Sequence, residues 1–110
     1  MKLPNGDKAI IDPRKLTDYS LSAAHDDGKH KARLFQELLG ISLDNAQLLL
    51  DALKEAARAG EAFVGKQDRY GQRYVLDFEF AGPTGSAMIR SAWIIRTGEN
   101  EPRLVTCYIL

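Results

Sequence analysis

The segment Gly28–Arg33 (GKHKAR) places three cations and a histidine at the predicted start of a helix. An imidazole titrates near neutral pH, so His30 is a candidate general acid or base. Lys29, Lys31 and Arg33, with the N–H groups that are free in the first turn of a helix, could bind a phosphate. The glycine that opens the segment would let the backbone approach closely. These residue types indicate acid–base chemistry beside an anion.

The position of these cations is electrostatically unfavourable. A helix N-terminus carries partial positive charge, so each exposed cation there costs about 0.3–1 kcal/mol. Asp26 and Asp27 could neutralise a solvated charged turn, or an anionic ligand could supply the compensation, and the sequence leaves both interpretations open. Lys31 is the most unusual residue, because it precedes Phe35 by one turn and so lies on the apolar face of the helix. A lysine there must reach past the helix end or serve a site.

A second group of polar residues is predicted on the outward face of a sheet. Apolar and polar residues alternate over 73–80, which is typical of a half-buried strand. Its outward face would carry Arg73, Asp77 and Glu79, and the next strand would add Arg90.

The last strand is expected to contribute to the same face. Strict alternation puts Leu104, Thr106 and Tyr108 on one side, with Val105 and Cys107 on the other. An open face that carries arginines, Thr106 and Tyr108 suits a sugar-phosphate and a stacked base. An ordinary polar outer face accounts for the same pattern.

Two to three helices are predicted to position the first segment. Asp12–Pro13 is a cap and first-turn pair for a short helix that ends near Tyr19, a loop covers 20–28, and a helix over 28–39 ends at Gly40. Ser42 caps a third helix that ends at Gly60. Helical spacing predicts the apolar faces as Leu34, Phe35, Leu38 and Leu39 in the second helix, and Leu43, Ala46, Leu49, Leu50, Leu53, Ala56 and Ala57 in the third.

After Gly60 the apolar period changes to that of strands, predicted over 61–69, 73–80, 86–96 and 104–108. Gly82–Gly85 is a strong turn signal. In the third strand we expect Ile89, Trp93 and Ile95 on one face. The sequence therefore predicts a single α+β domain, 1–110. Helices in 1–60 pack on one face of a four-stranded antiparallel meander formed by 61–110.

Composition limits the classes of function. Fifteen basic and fifteen acidic residues give a net charge of zero, so contact with nucleic acid must depend on a local patch. The single cysteine suits a reducing compartment. The start MKLPNGDKAI lacks the apolar core of a secretory signal, and no apolar run reaches 18 residues. We expect a cytoplasmic protein that does not contact membranes, with its oligomeric state open.

The sequence predicts neither a metal site nor a cofactor. His25, His30 and Cys107 lack the spacing of metal ligands. The chain contains neither a phosphate-binding glycine loop of the Walker type nor a Gly-x-Ser-x-Gly nucleophile motif.

A series of motifs along the whole chain resembles a family of small bacterial proteins of unknown function. The matching residues are Leu3-Pro4, Ile11-Asp12-Pro13, Lys15-Leu16, Tyr19, Leu21-Ser22, the GKHKAR segment, Tyr70-Gly71, Tyr74, Gly82-Pro83, Gly85, Trp93, Pro102-Arg103-Leu104-Val105-Thr106 and Tyr108. The pattern is also similar to the barnase–EndoU–colicin–RelE group of ribonuclease-like toxins, in which N-terminal helices pack on a four-stranded antiparallel sheet.

The second resemblance implies a metal-independent endoribonuclease of toxin or phage-conflict type, with RNA as substrate and a small acidic antitoxin-like protein as partner. Carried onto this chain, His30, Lys31, Thr106 and Tyr108 would be catalytic. Gly28, Lys29, Arg33 and Arg90 would bind the phosphate. RNA supplies its own nucleophile, the 2′-hydroxyl, so such a site needs a base, an acid and cations.

Two other functions remain open. The neutral net charge favours a non-catalytic module that binds another protein, such as an inhibitor or a subunit of a complex. An inactive relative that keeps only the fold is the third alternative, because fold alone does not determine function. A catalytic site requires the start of the second helix to meet the last strand.

Overall fold

A four-stranded antiparallel sheet organises the molecule. The computed structural model describes residues 1–17, 21 and 29–110, with only the backbone at 29 and 30. The strands are β1 (Ala62–Asp68), β2 (Gly71–Ala81), β3 (Ser86–Arg96) and β4 (Arg103–Ile109), in the spatial order β1-β2-β3-β4. Each strand pairs with the next along the chain. The predicted meander is confirmed.

Two helices precede the sheet in the part of the chain that the structure describes. Helix α1 (Lys29–Leu34) continues through a wider helical turn, Phe35–Leu39, and ends at Gly40. Gly40 has a φ of 70°, the left-handed conformation that ends many helices, as predicted. Helix α2 (Ala46–Ala59) follows a short helical turn, Leu43–Asn45.

Ser42 caps the second helical segment as predicted. Its hydroxyl accepts a hydrogen bond from the Asp44 N–H, while the Asn45 side chain accepts one from the Ser42 N–H. This reciprocal arrangement satisfies donors that the first turn would otherwise leave unpaired. Of the predicted helix over 13–19, the described residues form one helical turn that begins at Asp12, whose carboxylate accepts from the Arg14 N–H. Positions 18–20 and 22–28 lie outside the described residues.

The faces that the helices bury are narrower than the spacing predicted. In the first helical stretch Phe35 and Leu39 are fully buried, whereas Leu34 and Leu38 are 39% and 47% exposed. The third predicted helix buries Leu49, Leu53, Ala56 and Ala57, while Leu43 is exposed at its start. Each helix buries only the central part of its apolar stripe, and the side chains on the flank of the stripe remain exposed to solvent.

A buried serine connects the strands at the centre of the core. Trp93 donates its indole N–H to the Ser91 hydroxyl at 2.9 Å, and Ser91 donates to the Leu76 carbonyl at 2.7 Å. Ser91 and Trp93 are fully buried, and Trp93 packs among Phe35, Leu49 and the other core side chains. The indole N–H thus avoids the cost of an unpaired buried donor.

One predicted face of the last strand is wrong, because β4 contains a β-bulge. Ala92 pairs with Thr106, but its neighbour Trp93 pairs with Leu104, so Val105 is an extra residue with no partner of its own. Leu104 and Cys107 therefore share the core side and are buried. Thr106 and Tyr108 remain on the outward face, but Leu104 does not accompany them.

Replacing Ser91 with alanine is expected to destabilise the fold by about 1–3 kcal/mol, because the Trp93 indole N–H loses its acceptor in the core. Urea unfolding followed by tryptophan fluorescence measures the change in the free energy of unfolding. Ser86→Ala, at an exposed position of the same strand, is the matched control and should alter stability by less than about 0.5 kcal/mol. Equal effects of the two substitutions would contradict a structural role for the buried hydroxyl.

Candidate functional site

Helix α1 meets the last strand through one lysine and one threonine. The Lys31 ammonium donates a hydrogen bond to the Thr106 hydroxyl over 3.0 Å, although the two residues are 75 positions apart in the chain. Both side chains are half-buried. Lys31 is one turn before the buried Phe35, and its long side chain places the ammonium beyond the apolar face of the helix, at the edge of β4.

Tyr108 lies on the same patch. The Lys31 ammonium is 5.5 Å from the centre of the Tyr108 ring, within the distance of a cation–π contact. Thr106 and Tyr108 are two positions apart in β4 beyond the bulge, so both side chains lie on the outward face. The ammonium is held between a hydroxyl and an aromatic face, and we name Lys31, Thr106 and Tyr108 the edge cluster.

A cross-strand row of polar residues supports the edge cluster. Asp77 pairs with Arg90 between β2 and β3, and Arg90 pairs with Tyr108 between β3 and β4. The Arg90 guanidinium donates from Nε and Nη2 to the two Asp77 carboxylate oxygens, both at 2.8 Å. This bidentate geometry is the strongest form of arginine–carboxylate pairing.

The charges in this row affect one another. The hydrogen bonds from Arg90 hold the pKa of Asp77 below its usual range, although partial burial acts in the opposite direction. The pKa of Arg90 is raised, chiefly by its hydrogen bonds to Asp77 and to a lesser extent by the nearby Tyr108. Arg90 lies between Asp77 and Tyr108 in the cross-strand row. We interpret it as a residue that positions Tyr108.

The predicted phosphate-binding residues do not all join the edge cluster. Arg33 is 66% exposed, and its Nε is 3.9 Å from the Glu37 carboxylate. It lies two residues after Lys31, so the helix turns it by roughly 200° away from that face. Gly28 and the side chains of Lys29 and His30 are outside the described residues. The His30 backbone is part of α1, directly before Lys31. Arg73 is directed to Asp68, with 3.9 Å between Nε and a carboxylate oxygen.

An open cleft of about 380 Å³ adjoins the edge cluster and is lined by Lys15, Lys31, Val105 and Thr106. Sequence patterns did not indicate Lys15, which comes from the N-terminal helical turn. Nor did they indicate the Asp77–Arg90 pair, although both residues were placed on one face. Lys15 does occur in the series of family-like motifs, but without a role, because its position beside β4 depends on tertiary packing that single-sequence periodicity does not show.

The geometry favours recognition of an anion. A half-buried ammonium, a threonine hydroxyl and a tyrosine hydroxyl all present groups that can donate to phosphate oxygens. Among the residues that the structure describes, no cluster of three or more His, Cys, Asp and Glu side chains is placed to hold a metal ion. Within the same residues, no helix is long and apolar enough to span a membrane.

Asp77→Asn is expected to lower the melting temperature, because it removes a carboxylate whose pKa is depressed in the folded state. Such a group stabilises the fold above its unfolded pKa of about 3.9, and this contribution disappears as the pH falls through the lower folded value. The difference in melting temperature between wild type and variant should be largest above about pH 5 and should shrink below about pH 4.

Thermal unfolding followed by circular dichroism across this pH range checks the expectation. Glu79→Gln, an exposed carboxyl on the same strand and face, is the matched control. If Asp77→Asn lowers the melting temperature by the same amount at pH 3 and pH 7, the loss of stability does not come from the ion pair.

Comparison with known proteins finds a family for the whole domain but no activity. No curated protein matches this chain. One family model does match it, over residues 2–110, and its description is "Domain of unknown function (DUF6883)". That match includes both the helical half and the sheet, so α1, β4 and the edge cluster between them fall inside it. The chain therefore belongs to the DUF6883 family.

Proposed function

We propose that this domain binds RNA and cleaves its phosphodiester backbone, with the edge cluster at the reaction centre. The observation that carries the proposal is the contact between Lys31 and Thr106, which joins the start of α1 to the last strand. A ribonuclease-like site assembled from these two elements requires this meeting. An unrelated arrangement of helices and sheet would not have to bring a helical lysine onto this strand.

The proposed reaction needs few groups. A base removes the proton from the ribose 2′-hydroxyl, whose oxygen attacks the adjacent phosphorus. The bond from phosphorus to the 5′-oxygen breaks, and an acid returns a proton to that oxygen. The products are a 2′,3′-cyclic phosphate and a free 5′-hydroxyl. Each positioned acid or base contributes about 10²–10⁴-fold in rate.

The residues would divide these tasks by their chemistry. The Lys31 ammonium stabilises the negative charge that develops on the non-bridging phosphate oxygens, and the Thr106 hydroxyl donates to one of them. Tyr108 lies beside the ammonium and opposite Arg90 on the neighbouring strand, so it is the proposed proton donor to the leaving oxygen. His30, the residue before Lys31, is the proposed base.

Alanine at Lys31 or His30, and phenylalanine at Tyr108, should each reduce cleavage of total RNA by about 10²-fold or more. Lys54→Ala, an exposed lysine on α2, is the matched control and should cleave like wild type. The assay contains excess EDTA, and products are checked for the cyclic phosphate end. Full activity of both Lys31→Ala and His30→Ala would refute the assigned roles. A wild-type protein that cleaves no RNA would refute the proposed ribonuclease activity.

A non-catalytic protein-binding module is the second candidate. It is favoured by the exposed edge of β1, where Phe63 and Val64 are each 62% exposed. A sheet edge with apolar side chains can pair with a strand of another protein. In that case a small acidic partner could still cover the edge cluster. Binding of RNA that weakens steeply with salt favours the first proposal, whereas a protein interface need not show this dependence.

A further inference from the structure

A second hollow continues the cleft beside the edge cluster. It has a volume of about 120 Å³ and shares Lys15 and Val105 with the larger cleft. Its other polar lining residues are Asp12, Arg96 and Arg103. Because Lys15 and Val105 line both hollows, the two lie side by side along the outer edge of β4, and we call them together the groove.

The N-terminal segment covers only the first half of the β4 edge. Ile10 pairs with the first half of β4, donating to the Pro102 carbonyl at 2.8 Å and accepting from the Leu104 N–H at 3.0 Å. The chain turns away at Asp12, and Lys15 lies just beyond that turn. The second half of β4 is flanked by α1 instead. The bulge residue Val105 lies between the part of β4 that pairs with Ile10 and the part that α1 flanks, and it lines both hollows.

Among the residues that the structure describes, cations outnumber carboxylates in the groove although the whole chain is neutral. Lys15, Lys31, Arg96 and Arg103 line the two hollows together with one described carboxylate, Asp12. That carboxylate accepts hydrogen bonds from Arg14 at 2.7–3.1 Å, which lower its pKa to about 2.

The carboxylates that flank the groove are also next to arginine. Glu99 accepts from Arg103 at 3.0 Å, and Glu101 lies close enough to Arg103 to help raise the pKa of its guanidinium. Glu99 also lies near Arg96, and Asp12 near Lys15, but these carboxylates accept their side-chain hydrogen bonds from Arg103 and Arg14. Lys15 and Arg96 therefore keep more capacity to bind an anion than Arg103 does.

We infer that Lys15 and Arg96 form a second phosphate subsite, so that the ligand is single-stranded RNA of several nucleotides lying along the outer edge of β4. This inference rests on the proposed function and extends it to the substrate. One phosphate would occupy the edge cluster, and a neighbouring one would be bound by Lys15 across Val105. Ile10 and Ile94 in the lining of the smaller hollow are apolar and suit a ribose or an unstacked base of a single strand.

The first experiment compares two probes by equilibrium binding: a fluorescent 12-nucleotide single-stranded RNA of mixed sequence, and a dinucleoside monophosphate with one phosphate. Both carry 2′-O-methyl riboses, which lack the nucleophile and so are not cleaved during the measurement. Lys15→Ala and Arg96→Ala should each weaken binding of the 12-mer about tenfold, and weaken the small probe much less. The slope of log affinity against log salt should fall by about 0.7 for each phosphate that the variant no longer neutralises. Lys15→Glu should have the largest effect.

Three controls make the outcome decisive. Lys54→Ala tests for a general loss of positive charge and should bind like wild type. Circular dichroism melting of each variant checks the fold, which substitution of the exposed Lys15 and Arg96 should leave unchanged. In cleavage assays, Lys15→Ala should raise KM for the 12-mer more than it lowers kcat, because the subsite binds substrate away from the reacting atoms.

The results that overturn the inference differ from those that overturn the function. If Lys31→Ala weakens binding of the 12-mer but Lys15→Ala and Arg96→Ala do not, the second subsite is refuted and the proposed function stands. If a duplex of the same sequence binds more tightly than the single strand, the assignment of the substrate is refuted. If wild type binds neither probe, the proposed function and the subsite both fail.

Discussion

One extra residue in β4, Val105, lets this strand serve both the core and the edge cluster. Without the bulge at Val105, strict alternation would put Leu104, Thr106 and Tyr108 on one face. Burying Leu104 opposite Trp93 would then bury two hydroxyl groups as well, and it would expose Cys107. The bulge lets the strand bury Leu104 and Cys107 and still present Thr106 and Tyr108 outward. The core and the edge cluster therefore coexist in one seven-residue strand because of a single extra residue.

The bulge also determines what can lie against the outer edge of the sheet. An edge strand presents unpaired backbone groups that must be covered, paired or left to solvent. Here Ile10 pairs with the strand before the bulge and α1 flanks it after the bulge, so two distant parts of the chain converge on one edge. Lys31 reaches Thr106 from one side of this junction, and Lys15 lines the cleft from the other. The cationic groove is thus a consequence of how the edge is protected.

Periodicity predicted most of the fold, whereas Lys31, Thr106 and Tyr108 were named from their residue chemistry and from the resemblance, and the structure brings these three together. The strand order, the bounds of β3, the Ser42 cap and the Gly40 helix end depend on local signals, namely alternation, capping side chains and a left-handed glycine, and these were predicted. The face of Leu104, the exposure of Leu34, Leu38 and Leu43, and the contribution of Lys15 were not. A bulge shifts the face of later residues without changing composition, and the width of a buried stripe depends on which surface the helix meets. Both are tertiary effects that single-sequence patterns do not encode.

Lys31 is informative because a charged residue on the apolar face of a helix is a conflict between the local pattern and burial. Such conflicts are concentrated at functional sites.

The neutral charge of the chain becomes compatible with a polyanionic ligand once the positions of the charges are considered. Acidic residues near the sheet are mostly in contact with arginines: Asp77 with Arg90, Glu99 with Arg103 and Asp12 with Arg14. Each pair is close to neutral at a distance, because the field of two opposite charges a few ångströms apart decays quickly, and salt screens the remainder beyond about 10 Å. Net charge does not describe where the charges lie. Among the described residues, Lys15, Lys31, Arg96 and Arg103 line the groove together with Asp12, so a chain with no net charge can still attract a phosphate to one edge of its sheet.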